Sequence, residues 1–220
     1  MEKRIDKVRI SKEFSKILRH QASDIPSLEI RADGFVKLST LLALPFFARN
    51  RIDEVFVRSM VETDSKTRFS LLEEGGAIFI RANQGHSAGV ASLIDTEQLL
   101  DLIESPTDIP KVVHGTDFNA WDRHIKTEGL KRMKRSHIHF APGILGEEGV
   151  RSGMRSSAYI HVYVDAARAM ADGIKFYRSS NNVILSDGID GVVAPKYFHK
   201  VIDARNGKVL FENSKTGPVN

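Results

Sequence analysis

Several short segments bring together side chains able to grip an anion or move a proton. Arg19-His20 closes an apolar helical pattern formed by Phe14, Ile17 and Leu18. Cations there complement the helix dipole, and they also suit a phosphate. Arg81-Ala-Asn-Gln-Gly-His-Ser87 follows the apolar run Ile78-Phe-Ile80 and reads as a polar loop delivered by a strand. The planar fork of an arginine binds two phosphate oxygens at once. His114-Gly-Thr116 ends another strand, and His137-Ile-His139 sets two imidazoles on one strand face. A His-x-His pair can begin a metal site, but no third ligand stands at suitable spacing, so no metal is expected. Gly153-Met-Arg155-Ser-Ser157 combines a flexible backbone with anion-binding groups, and Phe176-Tyr-Arg178 offers rings beside a cation, Phe176 reading as core. Trp121 and Phe118 also read as core.

The elements needed to position these groups fall into two halves. In the first, Ser11 is expected to cap a helix, Asp33-Gly34 to make a turn before the strand Phe35–Leu38, and Ser39 to cap a helix through Leu42. Ile52, Val55, Phe56 and Met60 mark a third helix, and Arg68–Leu72 with Ala77–Ala82 a hairpin. Three helices and a hairpin suggest a winged-helix arrangement. The second half reads as strands at 111–114, 138–140, 159–164 (alternating in and out), 182–185 and 191–193, a helix at 119–128, and a hairpin around Asn206-Gly207. The polar, proline-bearing stretch 104–110 marks the expected boundary, giving domains at 1–105 and 106–220 of an α+β fold.

Composition removes several function classes. There is no cysteine among the 220 residues, so disulfides, thiolate metal sites and cysteine nucleophiles are excluded. The longest apolar run, Leu41–Ala48, contains Pro45 and is far short of the roughly 20 residues of a membrane span. Met1-Glu-Lys-Arg-Ile-Asp6 does not read as a signal peptide. No Walker or Rossmann glycine pattern occurs. The net charge of +4 is uneven, with 15 basic against 16 acidic residues in 1–105 and 17 against 12 in 106–220. The run Arg123–Arg135 holds six of those cations. It reads equally as a phosphate-facing patch or as a solvated helix face. An intracellular location (cytoplasm, nucleus or both) and a monomeric state are expected, with no membrane partner.

In their order along residues 11–200, Ser15-Lys-Ile-Leu-Arg-His20 with Asp33-Gly-Phe-Val36, Arg81–Ser87, His114–Thr116, His137–Phe140, Gly153–Ser157 and Phe176–Val183 resemble the KptA-like RNA 2′-phosphotransferases. The resemblance implies an N-terminal winged-helix lobe and a C-terminal ADP-ribosyltransferase-like lobe of antiparallel β-sheet that binds NAD as co-substrate. It implies a two-step reaction on 2′-phosphorylated tRNA or other RNA. The internal 2′-phosphate attacks the nicotinamide ribose of NAD and expels nicotinamide, and the neighbouring hydroxyl then attacks phosphorus to release 2′-OH RNA and ADP-ribose 1″,2″-cyclic phosphate. By the same resemblance Arg19, His20, Arg81 and Arg155 form the catalytic set, with Arg135 a competitor for the last place. Proton transfer is the natural work of His20. His114, Gly115, Thr116, His139 and Val183 correspond to the NAD-binding positions.

Overall fold

The computed structural model describes residues 6–213, and the chain forms two compact units that divide between Leu99 and Leu100. Residues 1–5, most of the segment read above as lacking a signal peptide, lie outside the described residues. Among the described residues no helix is long and apolar enough to cross a membrane. The whole is α+β, and its named strands all pair antiparallel.

In the first unit, helix α1 (Lys7–Lys16) starts a turn earlier than the Ser11 reading. The Asp6 carboxylate accepts from the Val8 and Arg9 amides at 3.0 and 3.1 Å, so Asp6 is the cap and Ser11 lies within the helix. Ile10 thereby joins Phe14 on the buried face. The helix runs into a π-helical turn, Ile17–Gln21, which carries Arg19 and His20. Strand β1 (Val36–Lys37) leads into α2 (Leu38–Leu42), which places Ser39 inside the helix, not at its cap. The Pro45-bearing run forms a further helix, α3 (Pro45–Arg49), because proline is tolerated at the first helical position. Helix α4 (Glu54–Glu62) is capped by Asp53 and buries Val57 and Met60, while Val55 is 75% exposed, contrary to its expected inward face.

Strands β2 (Phe69–Glu74) and β3 (Ala77–Ala82) pair in register across Gly75-Gly76. Both glycines have positive φ, +58° and +72°, as a two-residue primed turn requires. β1 pairs with β3, giving the sheet order β1-β3-β2. Phe14 packs on Phe47 at 4.4 Å between ring centroids and on Phe69 at 6.1 Å, and all three rings are buried. Each such ring contributes about 2–3 kcal/mol on leaving water.

The second unit holds two four-stranded sheets. One is β4 (Leu100–Ile103), β9 (Phe176–Ser179), β10 (Ile184–Ser186) and β7 (Ile138–Phe140), in that spatial order. The other is β13 (Lys208–Glu212), β12 (Phe198–Asp203), β8 (Ile160–Val164) and β5 (Val113–Thr116). A two-stranded pair joins β6 (Leu130–Lys131) to β11 (Val192–Val193). The edges β5 and β7 are tied by reciprocal bonds between Val113 and Ala141, 3.0 and 2.8 Å.

The expected helix spans Phe118–Glu128 with a π-helical turn at Trp121–Ile125. Trp121 is core at 6% exposure, but Phe118 is 44% exposed and is not. β8 does not alternate in and out, since it lies inside its sheet, and His161 is buried along with Ile160 and Val162.

Candidate functional site

Each unit holds one cluster of the residues singled out by sequence. In the first unit the Arg81–Ser87 loop folds back onto the π-helical turn. The Arg19 carbonyl accepts from the Ser87 amide at 2.8 Å and from its hydroxyl at 3.2 Å. Gly85 has φ +89°, and a Cβ there would lie 3.5–3.6 Å from the Arg19 Cδ, Nε and Cζ atoms. The guanidinium therefore lies flat against the glycine, with its Nε and Nη2 buried. Asn83 fixes the loop from the other side. Its amide donates to the Thr67 carbonyl at 2.8 Å, and its Oδ1 accepts from Ser70 Oγ at 2.7 Å.

Arg81 leaves β3 with Nη1 donating to the Asp33 carbonyl at 2.8 Å and its guanidinium 4.7 Å from the Phe35 ring centre. It makes no ion pair, and its buried Nε has no hydrogen-bond partner among the described residues. Burial lowers its pKa, opposed by the charge of Asp33, yet a guanidinium remains protonated. A cation held in no ion pair, with a spare donor, is what an anion would find here. His20 is exposed beside Arg19 on the same turn. Sequence reasoning noted Asp33-Gly-Phe35 only as a turn and a motif. Its role is to hold Arg81, through a carbonyl and a ring that composition cannot reveal.

In the second unit His114 on β5 points its Nδ1 at the His139 carbonyl, 2.9 Å away. A carbonyl only accepts, so Nδ1 carries the proton and Nε2 keeps its lone pair. Burial pushes the His114 pKa down, and the charges of Arg135 and Arg155 push it further, against the pull of the His139 carbonyl. Both candidate arginines therefore act on one imidazole. Arg135, lowered by desolvation and then by Arg155, approaches His139 Nδ1 to 3.4 Å. The same Nδ1 lies closer to the His137 carbonyl, at 3.1 Å, and that contact takes its proton.

Two glycines let the backbone close up around these groups. A Cβ on Gly115 would come within 2.8 Å of Met154 Cβ and 2.9 Å of Ala158 Cβ. One on Gly153, φ +101°, would come within 2.6 Å of Ala141 Cα and the Phe140 carbonyl. The 153–158 segment is thus pressed between β5 and β7. The Thr116 carbonyl accepts from the Tyr159 amide at 3.0 Å, and Arg155 closes a turn by accepting from Ala158 at 3.0 Å. His161, which sequence reasoning passed over, lies opposite Gly115 in register and hydrogen-bonds the Ala158 backbone. Only the strand pairing exposes that role.

Phe176–Val183 is mainly a brace. Phe176 is fully buried, as expected. Arg178 donates to the Asp108 carbonyl at 2.8 Å and to Asn182 Oδ1, which commits its guanidinium to structure. Tyr177 meets the His137 ring edge-on, centroids 5.9 Å apart. Val183 is completely buried just ahead of β10, its backbone bonded to Ser179. Among the described residues no group of three or more His, Asp or Glu side chains converges as a metal site.

Comparison with known proteins gives the family. Residues 5–188 match the family described as RNA 2'-phosphotransferase, Tpt1 / KptA family. A tRNA 2'-phosphotransferase 1 of Homo sapiens is 44% identical over 202 residues, covering 90% of this chain and 76% of the human protein. The protein of the same name from Danio rerio is 43% identical over 197 residues, covering 88% and 84%. A longer Schizosaccharomyces pombe relative is 42% identical over 99% of this chain, which spans 56% of that protein's length. With a family match over most of its length and relatives this similar, the chain belongs to the Tpt1/KptA family of RNA 2'-phosphotransferases.

Proposed function

We propose that this chain is an NAD-dependent tRNA 2′-phosphotransferase. It removes the internal 2′-phosphate at a splice junction through an ADP-ribosylated RNA 2′-phosphate, leaving 2′-OH RNA, nicotinamide and ADP-ribose 1″,2″-cyclic phosphate. The observation that carries this reading is Arg81, a half-buried guanidinium with an unused donor and no ion pair among the described residues. The three-stranded sheet and helices of the first unit support a winged-helix lobe, and the paired antiparallel sheets of the second an ADP-ribosyltransferase-like lobe.

In this reading Arg19 and Arg81 hold the RNA 2′-phosphate. Their fixed positions offset its repulsion from a second anion and orient its oxygens for attack. His20, exposed on the same turn, exchanges the proton at the ribose hydroxyl and the departing 2′-oxygen.

NAD supplies an electrophilic ribose carbon and a leaving group. The second-unit donor set fits such a dinucleotide. His114 offers a lone pair at Nε2, Arg135 and Arg155 offer cations, and every charge shifting His114 is positive. Gly115 and Thr116 set the cradle floor, His139 orients His114, and Val183 backs the sheet from within the core. Both Arg155 and Arg135 stand at this cradle. Arg135, set beside the His139 ring and partly desolvated, is the one favoured here.

The test is an RNA oligonucleotide bearing one internal 2′-phosphate, incubated with and without NAD and read by gel and mass spectrometry. NAD-dependent loss of phosphate with release of the cyclic phosphate is expected. Accumulated ADP-ribosylated RNA would reduce the activity to its first step. Binding indifferent to NAD and to the 2′-phosphate would sink the proposal.

A further inference from the structure

The basic run Arg123–Arg135 divides in two. Its first half, the helix end and β6, is largely neutralised. Lys126 pairs with Asp122 at 2.6 Å, while Lys131 and His124 both meet Glu128, at 2.6 and 3.1 Å. Arg123 is the exception in that half. The turn that follows is not neutralised, since Arg132 and Lys134 are exposed and form no ion pair among the described residues.

This turn is built, not loose. The Arg132 amide donates to the Gly191 carbonyl at 3.0 Å, and the Arg135 amide closes back onto Arg132 at 3.1 Å. Met133 takes a left-handed φ of +57° and is 80% exposed, so the turn projects into solvent. The Arg132 side chain lies along Gly191, where a Cβ would come within 2.8 Å of Arg132 Nε. The next residue after Lys134 is Arg135, which reaches His139.

We infer that the Arg132–Lys134 turn is an RNA-backbone contact of the second unit, taking phosphates of the substrate RNA. This rests on the proposed function. Exposed cations without counter-charges release bound ions when they meet phosphates, whereas paired lysines have far less to gain. The same net charge loss should therefore have different effects in the two halves of the run.

The experiment measures binding of a single-stranded RNA oligonucleotide, with and without an internal 2′-phosphate, across a salt series. Arg132→Ala/Lys134→Ala should weaken binding about tenfold near physiological salt and reduce the log–log salt slope by about 1.4, at roughly 0.7 per contact. KM for NAD should stay within about twofold, since neither residue lies in the cradle. Lys126→Ala/Lys131→Ala, with an identical charge change, should leave the slope unaltered. Equal effects from the two double variants, or an unchanged slope in the first, would overturn the inference. If loss of Arg132 prevents folding, Lys134→Glu at its exposed position carries the same expectation with a smaller slope change. Failure of the wild type to process the 2′-phosphate defeats the proposed function instead, and the slope comparison on unmodified RNA still decides the turn.

Discussion

The two clusters meet one electrostatic problem with different means. In the first unit Arg81 is held by a carbonyl and an aromatic ring, and Arg19 lies against a glycine on a loop that bonds to its own carbonyl. A carbonyl and a ring hold the Arg81 guanidinium without an ion pair. In the second unit the fixing falls to close-packed glycines and to imidazoles bonded through Nδ1 to carbonyls, with Arg155 near enough to lower the pKa of Arg135. Arg58 shows the contrasting surface pattern, bonded to both Glu54 and Glu73 at 2.8 and 2.6 Å. A cation so paired is spent on structure. What separates a site arginine from a surface one here is its partners, not its exposure.

The sharpest way to break that comparison is at Arg81. Arg81→Ala should lower turnover about 10²–10³-fold, the cost of removing one preorganised donor from a developing charge. Arg81→Lys should recover little, because an ammonium can neither straddle the Phe35 ring in the same way nor present a fork. Steady-state kinetics on 2′-phosphorylated RNA check both. Near-normal activity in the lysine variant would reduce Arg81 to a point charge. In the second unit Arg135→Ala and Arg155→Ala, assayed side by side, show which arginine belongs to the essential set. The larger loss is expected at Arg135.

Next in size is the glycine contact. Gly115→Ala forces a methyl against Met154 and Ala158, and overpacking of that kind costs about 1–3 kcal/mol. Denaturant unfolding should register it, and KM for NAD should rise while affinity for the RNA phosphate does not change. Gly85→Ala is the matching probe in the first unit. Its Cβ would meet Arg19 at ordinary contact distance, but φ +89° is strained for any other residue. Its effect should fall on RNA affinity.

Much of this was legible in the sequence. The polar loop after Ile78-Phe-Ile80, the Gly75-Gly76 hairpin and the Ile138–Phe140 strand each carry a local pattern that survives folding, although His137 falls just outside that strand. Other features have no local signature. β4, Leu-Asp-Leu-Ile, follows a short helix and leaves Leu102 52% exposed, so its strand character comes wholly from pairing with β9. Asp6 outcompeted Ser11 as the cap because Ile10 extends the buried face by one position. Arg178, the cation beside the Phe176 and Tyr177 rings, is consumed by Asp108 and Asn182. His161 is invisible until β8 is laid beside β5. The unread part of the site is therefore the part made by contacts distant in sequence.

The histidines offer a smaller effect confined to one unit. His114, His137 and His161 all have pKa values lowered mainly by burial, and all lie in the second unit. Folded, they resist a proton that the unfolded chain accepts near its ordinary value of 6.5. Stability is unaffected well above that value and falls as the pH drops through it, because the unfolded state then binds more protons. Trp121, the single tryptophan, is buried in the second-unit core and reports on that unit. Its denaturation midpoint should drop between about pH 7.5 and 5.5, and His161→Gln, which keeps an amide donor, should lessen the drop.

The smallest change tests whether the first-unit site depends on its helix end. Asp6→Ala removes two hydrogen bonds to the Val8 and Arg9 amides, and loss of such a cap costs about 1 kcal/mol. Amide exchange across α1 should quicken accordingly. The Trp121 transition should not shift, since that ring belongs to the other unit's core. Activity near room temperature should also hold, because Arg19 is secured from the far side of the helix. Its carbonyl is tied to Ser87, and its guanidinium rests on Gly85. A tenfold loss of turnover in a folded Asp6→Ala protein would mean that the start of α1, not the 83–87 loop, sets the position of the first arginine. The distinction between fixing by backbone contact and fixing by helix would then have to be drawn the other way.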